Sequence, residues 1–198
     1  MDDAPDIHAH LARHLRSLRR GRGLSLDALA TRTGVSRSMI SLIERGEASP
    51  TAVVLNRLAA GLGVSLASLF AEEDTPQASP LVRRAAQRTW RDPDSGYLRR
   101  TLSPPGYPSP IELAEVTLPP GARVAYDSGP GAGIGQQVWI LEGEVDVATG
   151  EDRHRLAAGD CLCMHLDRAN VFHNPADRPA RYLVALAADP GRARARET

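Results

Sequence analysis

Arg37 and Arg45 bracket Ser38, Met39, Ile40, Ser41 and Ile43. Wound as a helix, this segment puts Ile40 and Ile43 on one face and Arg37, Ser38, Met39, Ser41 and Arg45 on or near the other. Such a face suits the major groove of duplex DNA, where a helix buries one side in its own domain and offers short polar or forked side chains to base edges. Arg37 falls in the first turn, and its planar fork matches the two acceptors of guanine, a contact worth about 1–3 kcal/mol of base discrimination. Ser38 and Ser41 are candidates for base or phosphate contacts, Met39 for a thymine methyl, and Arg45 for backbone phosphate. Ser36 joins this set as the residue that would cap the helix, and Ser25, ahead of the preceding helix, stands where free N–H groups would hold another phosphate.

Other chemistry-bearing residues carry less. His8, His10 and His14 include an i, i+4 pair, but no third donor lies near in sequence, so a solvated helix face is expected rather than a zinc site. The cysteines, Cys161 and Cys163, are two apart in an expected strand. That is too close for a stabilising disulfide framework, and reduced thiols packed into a core are expected.

The elements that position these residues divide the chain in two. With 42% hydrophobic, 4% aromatic and 24% charged residues, the 198-residue chain is that of a soluble globular protein and not a disordered one. The 24 basic residues, all arginine, balance 24 acids, so no wholesale attraction to nucleic acid or membrane is expected. The balance is uneven along the chain: Leu11 to Arg45 holds 8 arginines and 2 acids. The start, MDDAPDIHAH, is acidic without an apolar run, and no stretch of ~18 apolar residues occurs, so neither a secretory leader nor a membrane partner is expected, and the cytoplasm is the expected location.

From Ile7 to Phe70 the apolar spacing is helical. Ser25 caps a helix ending at Gly34, Ser36 caps the next ending near Gly46, and Ser49, Pro50 and Thr51 open a fourth closed by Gly61 and Gly63. A short fifth helix over Ser65 to Phe70 completes the expected bundle. The stretch AEEDTPQASP reads as a linker. Beyond it, ELAEVTL, QQVWILEG, EVDVA and RYLVALA alternate with PPG, ATGED, AAGD and NPADRP, the grammar of an antiparallel β-sandwich or barrel. The tail from Asp189 is polar and Arg-rich and is expected to fray.

The segment LSLDALATRTGVSRSMISLIERGEASPTAVVLNRLAAGLGVSLASLF resembles the Xre-type, lambda-repressor and Cro-like helix-turn-helix family along nearly its whole length. The resemblance rests on the helix Leu26 to Thr33, the turn Gly34-Val35-Ser36, the helix Arg37 to Arg45 and the sequence Ser49-Pro50-Thr51. It implies double-stranded DNA as partner. One such unit reads only a few base pairs, so a homodimer on two half-sites ~34 Å apart is expected.

Gly121 to Asn174 resembles a cupin, a small β-barrel whose two motifs usually carry a metal site. Aligned on Gly143, the first motif puts Gln136 at its metal-binding glutamate and its two histidines within Gly129 to Ala132, where no histidine stands. Aligned on Gly159 and Asn174, the second puts Asn170 at its metal-binding histidine. No metal or cofactor is therefore expected, since a transition-metal site needs about three or four converging N, O or S donors. By alternation Gln136, Val138 and Ile140 share a face. If that face points inward, Gln136 and Asn170 become neutral handles for a small effector, with Tyr126, Val138, Ile140 and Phe172 as walls. Trp139, on the opposite face, is placed for an intersubunit or interdomain contact.

The expected fold is thus multidomain α + β: a five-helix DNA-binding bundle over 1–70, a linker over 71–82, an antiparallel cupin-like or jelly-roll β-barrel over 83–190 for sensing and dimerisation, and a disordered tail over 191–198. The resemblances together imply a sequence-specific transcriptional regulator, without enzyme activity, dimeric on a palindromic operator and modulated by a small molecule. Two alternatives stand beside it. One is a non-haem metal cupin enzyme with an accessory helical domain, as in hydroxypropylphosphonate epoxidase, which would require the missing ligands. The other is a DNA-bound scaffold whose barrel only dimerises, which would require a solid core.

Overall fold

The computed structural model describes residues 7–70, 78–127 and 134–188. The first six residues, most of the linker, the Gly129 to Ala132 stretch and the tail lie outside them. Four α-helices come first: α1 (Ile7–Gly21), α2 (Leu26–Thr33), α3 (Arg37–Glu44) and α4 (Ala52–Leu62). The Ser25, Ser36 and Thr51 side chains accept from the backbone N–H three residues on, capping α2, α3 and α4. Leu11, Leu15, Leu29, Ile40, Ile43, Leu55, Leu58 and Leu69, each at most 3% exposed, form the helical core.

The bundle has four helices, not five. Ser65 to Phe70 forms only a 3₁₀ turn over Ala67–Leu69, tied by the Ser65 hydroxyl accepting from Ser68 N–H. Six residues cannot repay the cost of nucleating an α-helix. Nor does Gly61 stop α4, which runs through it to a left-handed cap at Gly63. Gly61 is glycine for packing: a Cβ there would lie 2.3 Å from Thr33 Cγ2 on α2.

The β half begins with a 3₁₀ turn at Arg84–Ala86 and continues with ten strands: β1 (Thr89–Arg91), β2 (Leu98–Thr101), β3 (Ile111–Leu118), β4 (Arg123–Tyr126), β5 (Ile134–Glu142), β6 (Glu144–Thr149), β7 (Asp152–Ala157), β8 (Cys161–His165), β9 (Asn170–His173) and β10 (Ala180–Ala188). They form two antiparallel sheets, β1-β2-β3-β10-β5-β8 and β4-β9-β6-β7. The sheets do not close into a barrel. β7 ends one of them with only Leu156 buried, and a strand so polar on both faces gains nothing by pairing across to β8. Between β5 and β6, Gly143 has φ 77° and its missing Cβ would meet Ala180 Cα at 3.1 Å, so both conformation and space require glycine.

The halves are packed together. Phe70, at the end of the helical half, lies 5.6 Å from the Trp90 ring, and Trp90 lies 5.6 Å from Tyr97. The buried Asp92 carboxylate accepts from Ala52 N–H at 2.9 Å at the start of α4, where the helix dipole favours a negative charge. Arg57 of α4 pairs with Asp127 at 2.9 Å.

Candidate functional site

In α3, Ile40 and Ile43 are buried against the bundle while Ser36, Arg37, Ser38 and Met39 stand exposed and Ser41 is half-buried. The helix is set by a pair behind it. Arg19 of α1 forks onto Glu44 of α3 with N–O distances of 2.6 and 2.7 Å, and its third nitrogen donates to Leu24 O at 2.8 Å. Both side chains are nearly buried, and the carboxylate holds the Arg19 pKa above its usual value.

The outward arginines have weaker partners. Arg37 Nε lies 3.3 Å from Asp27 with both side chains mostly exposed. Arg45 forks onto Glu47 at 2.7 and 2.8 Å and also donates to Ser41, and its guanidinium holds the Glu47 carboxyl below the usual range. Exposed pairs of this kind are screened by water and contribute little, so that another anion can displace them. Ser25 and Ser36 are exposed N-caps, with Ser36 Oγ also 3.1 Å from Ser38 Oγ.

A cavity of about 80 Å³ lies where α4 and the segment after it meet the β half. Asn56, Ala60, Val64, Ser65, Leu66 and Ala67 line one side. Opposite are Tyr97, Arg99, Tyr126, Gln136, Asn170, Phe172 and Tyr182. Gln136, Val138 and Ile140 share the inner face of β5, but only Gln136 reaches the cavity, while Val138 and Ile140 are fully buried beneath other strands' side chains. Phe172 stacks on Tyr182 at 5.6 Å and meets Tyr126 edge-on at 6.3 Å. Tyr126 OH donates to Tyr97 OH at 3.2 Å, and burial raises the pKa of Tyr97, Tyr126 and Tyr182, so all three phenols stay neutral donors.

Other sequence expectations need correction. Cys161 and Cys163 are exposed, not core, because Leu162 and Met164 take the inner face of β8. His10 is buried and stacks on His14 at 5.6 Å, and His14 Nε2 lies 3.0 Å from Ser68 O, so these histidines tie α1 to the 3₁₀ turn instead of facing solvent. Among the described residues no three His, Cys, Asp or Glu side chains converge as a metal site.

Residues 10–70 match the family described as "Helix-turn-helix domain". The uncharacterized HTH-type transcriptional regulator y4dJ of Sinorhizobium fredii is 35% identical over 69 residues, covering 35% of this chain and 90% of that protein. The HTH-type transcriptional regulator SutR of Escherichia coli is 26% identical over 172 residues, covering 87% of this chain and 91% of that one. The structure of an HTH_3 family transcriptional regulator from Vibrio cholerae superposes with a TM-score of 0.71 at 29% identity, covering 91% of this chain and 96% of that one. The chain belongs to the HTH-type transcriptional regulators.

In this DNA-binding regulator of transcription the Arg19–Glu44 pair ties α3 to α1 behind the exposed face of α3. Nothing in the sequence pairs Arg19 with Glu44, because their partnership spans 25 residues. Sequence reasoning also missed Tyr97, Arg99 and Tyr182 in the cavity. Alternation in YLRRT was a usable signal, since it separates Tyr97 and Arg99 from Leu98 and Arg100. No pattern marked Asn56 or Ser65, which reach the cavity only because α4 docks on the sheet. No helix of the regulator, among the described residues, is long and apolar enough to cross a membrane.

Proposed function

We propose that the protein is a homodimeric, sequence-specific regulator whose operator binding is modulated by a small molecule held in the interdomain cavity. The observation that carries this reading is the composition of the cavity wall: Asn56, Ala60, Val64, Ser65, Leu66 and Ala67 belong to the unit that carries α3, while the rest belong to the cupin domain. A ligand touching both sides stabilises one relative placement of the halves over others, which is what coupling between two sites requires. A coupling free energy of about 1–3 kcal/mol changes operator affinity ~5–150-fold.

Arg37 reads a base, Ser38, Met39 and Ser41 contact the groove, and Ser25, Ser36 and Arg45 hold phosphates. In the cavity Gln136 and Asn170 are amides, which do not act as general acids or bases at ordinary pH, so binding without turnover follows. Dimerisation uses the outer face of the six-stranded sheet. There Trp139, 49% exposed, sits between Leu183 and Cys161 in register, and Ile111 is 48% exposed along the same sheet. The protein acts in the cytoplasm.

The test is binding of the purified full-length protein to genomic fragments, with and without small molecules recovered from the cell by denaturing the protein. A preferred palindromic fragment, bound by a dimer and altered in affinity by a recovered compound, is the expected result. Equal affinity for genomic and scrambled duplex overturns the reading.

A further inference from the structure

Arg99 stands out among the cavity's side chains. It is 7% exposed, and its Nε is buried with no hydrogen-bond partner. Among the described residues no carboxylate forms an ion pair with it; its guanidinium lies over the Phe70 ring, 5.3 Å from the centroid. Asp127, the one acid among the described lining residues, is held by Arg57. Glu112 borders a neighbouring hollow that also touches Arg99; burial pushes its carboxyl above the usual range, the Arg99 charge draws it part of the way back, and no ion pair joins the two. A buried cation held by no ion pair is costly, and that cost falls when a ligand brings a charge into contact.

The groups around Arg99 suit the same ligand. Tyr126 donates its proton to Tyr97, which leaves the Tyr97 proton free to point elsewhere. Gln136 and Asn170 add neutral amide donors, and Phe172, Val116, Val184 and Leu186 are apolar. We infer that the cavity binds a small organic carboxylate, its charge held by Arg99 with the Tyr97 hydroxyl and its body against the apolar wall. This rests on the reading of the cavity as an effector site. One arginine matches one negative charge, which favours a carboxylate over a phosphate dianion. A cavity of about 80 Å³ limits the guest to a small molecule.

The test measures the thermal midpoint of the full-length protein with butanoate, butanamide or inorganic phosphate at equal concentration, for the natural protein, Arg99→Gln, Arg99→Lys and Tyr97→Phe. Butanoate is expected to raise the midpoint more than either other compound, with affinity lost at least tenfold in Arg99→Gln, partly kept in Arg99→Lys and reduced several-fold in Tyr97→Phe. Without ligand, Arg99→Gln is expected to melt no lower than the natural protein, since it removes an unpaired charge. If Arg99→Gln fails to fold, Arg99→Lys and Tyr97→Phe still decide. Stabilisation by butanamide equal to butanoate, or by butanoate undiminished in all three variants, overturns the carboxylate assignment while leaving an effector cavity in place. Greater stabilisation by phosphate overturns the choice of carboxylate. No stabilisation by any compound overturns both the anion site and the effector reading.

Discussion

Arg37 and Arg45 on α3 and Arg99 in the cavity are the same residue type in opposite environments. The first two are exposed, each beside an acid that water screens. Arg99 is buried, lies over the Phe70 ring and has an Nε with no hydrogen-bond partner. An exposed arginine loses little by exchanging a surface acid for another anion. A buried, unpaired one keeps a standing free-energy cost that only a charged guest relieves. Behind both lies Arg19, buried and fully paired to Glu44, which shows what burial looks like when the function is structural.

The comparison breaks first at Arg19. Glu44→Ala is expected to cost about 3–5 kcal/mol of stability by leaving that cation uncompensated, measured as a shift in denaturation midpoint. Replacing Arg19 and Glu44 together by apolar residues should recover most of the loss; a double variant as unstable as the single one would show that the pair's charges are not the cause. Next is Asp92→Ala, which removes the acceptor of Ala52 N–H and is expected to cost about 1.5–3 kcal/mol, as for a hydrogen bond to a charged group. Protease susceptibility rising between the halves would locate the loss there, and unchanged stability would mean that the docking of α4 on the β half does not depend on it.

Arg37→Ala is expected to relax preference at one operator position and cost about 1–3 kcal/mol of binding. Arg45→Ala is the mildest change: about one unit less of salt slope and a weakening that is uniform across sequences. Titration against operator variants at several salt concentrations separates the two. Equal loss from both with unchanged base preference would refute the division between reading and holding.

Much of the helical half was legible because its signals are local. Ser25, Ser36 and Thr51 announce helix starts, and the spacing of Ile40 and Ile43 orients α3 without reference to anything distant. The Ser65 to Phe70 segment misled because its apolar pattern matches a helix while its length cannot sustain one. In the β half, ELAEVTL and RYLVALA were readable by alternation, and they pair as β3 and β10. The short strands β1 and β2 were passed over, although alternation through Tyr97 to Thr101 separates Arg99 from Leu98 and Arg100. Cys161 and Cys163 were placed on one face correctly but on the wrong side of the sheet, since alternation gives parity and never direction.

Sequence alone determined that a basic, capped pair of helices precedes a half built of alternating strands, because caps, periodicity and residue type act over a few neighbours. Only the tertiary structure decided that the β sheets remain open, that Glu44 closes on Arg19, and that α4 forms one wall of the cavity around Arg99. Those outcomes depend on contacts between residues tens of positions apart, where burial and charge pairing, set by packing, outweigh any local preference.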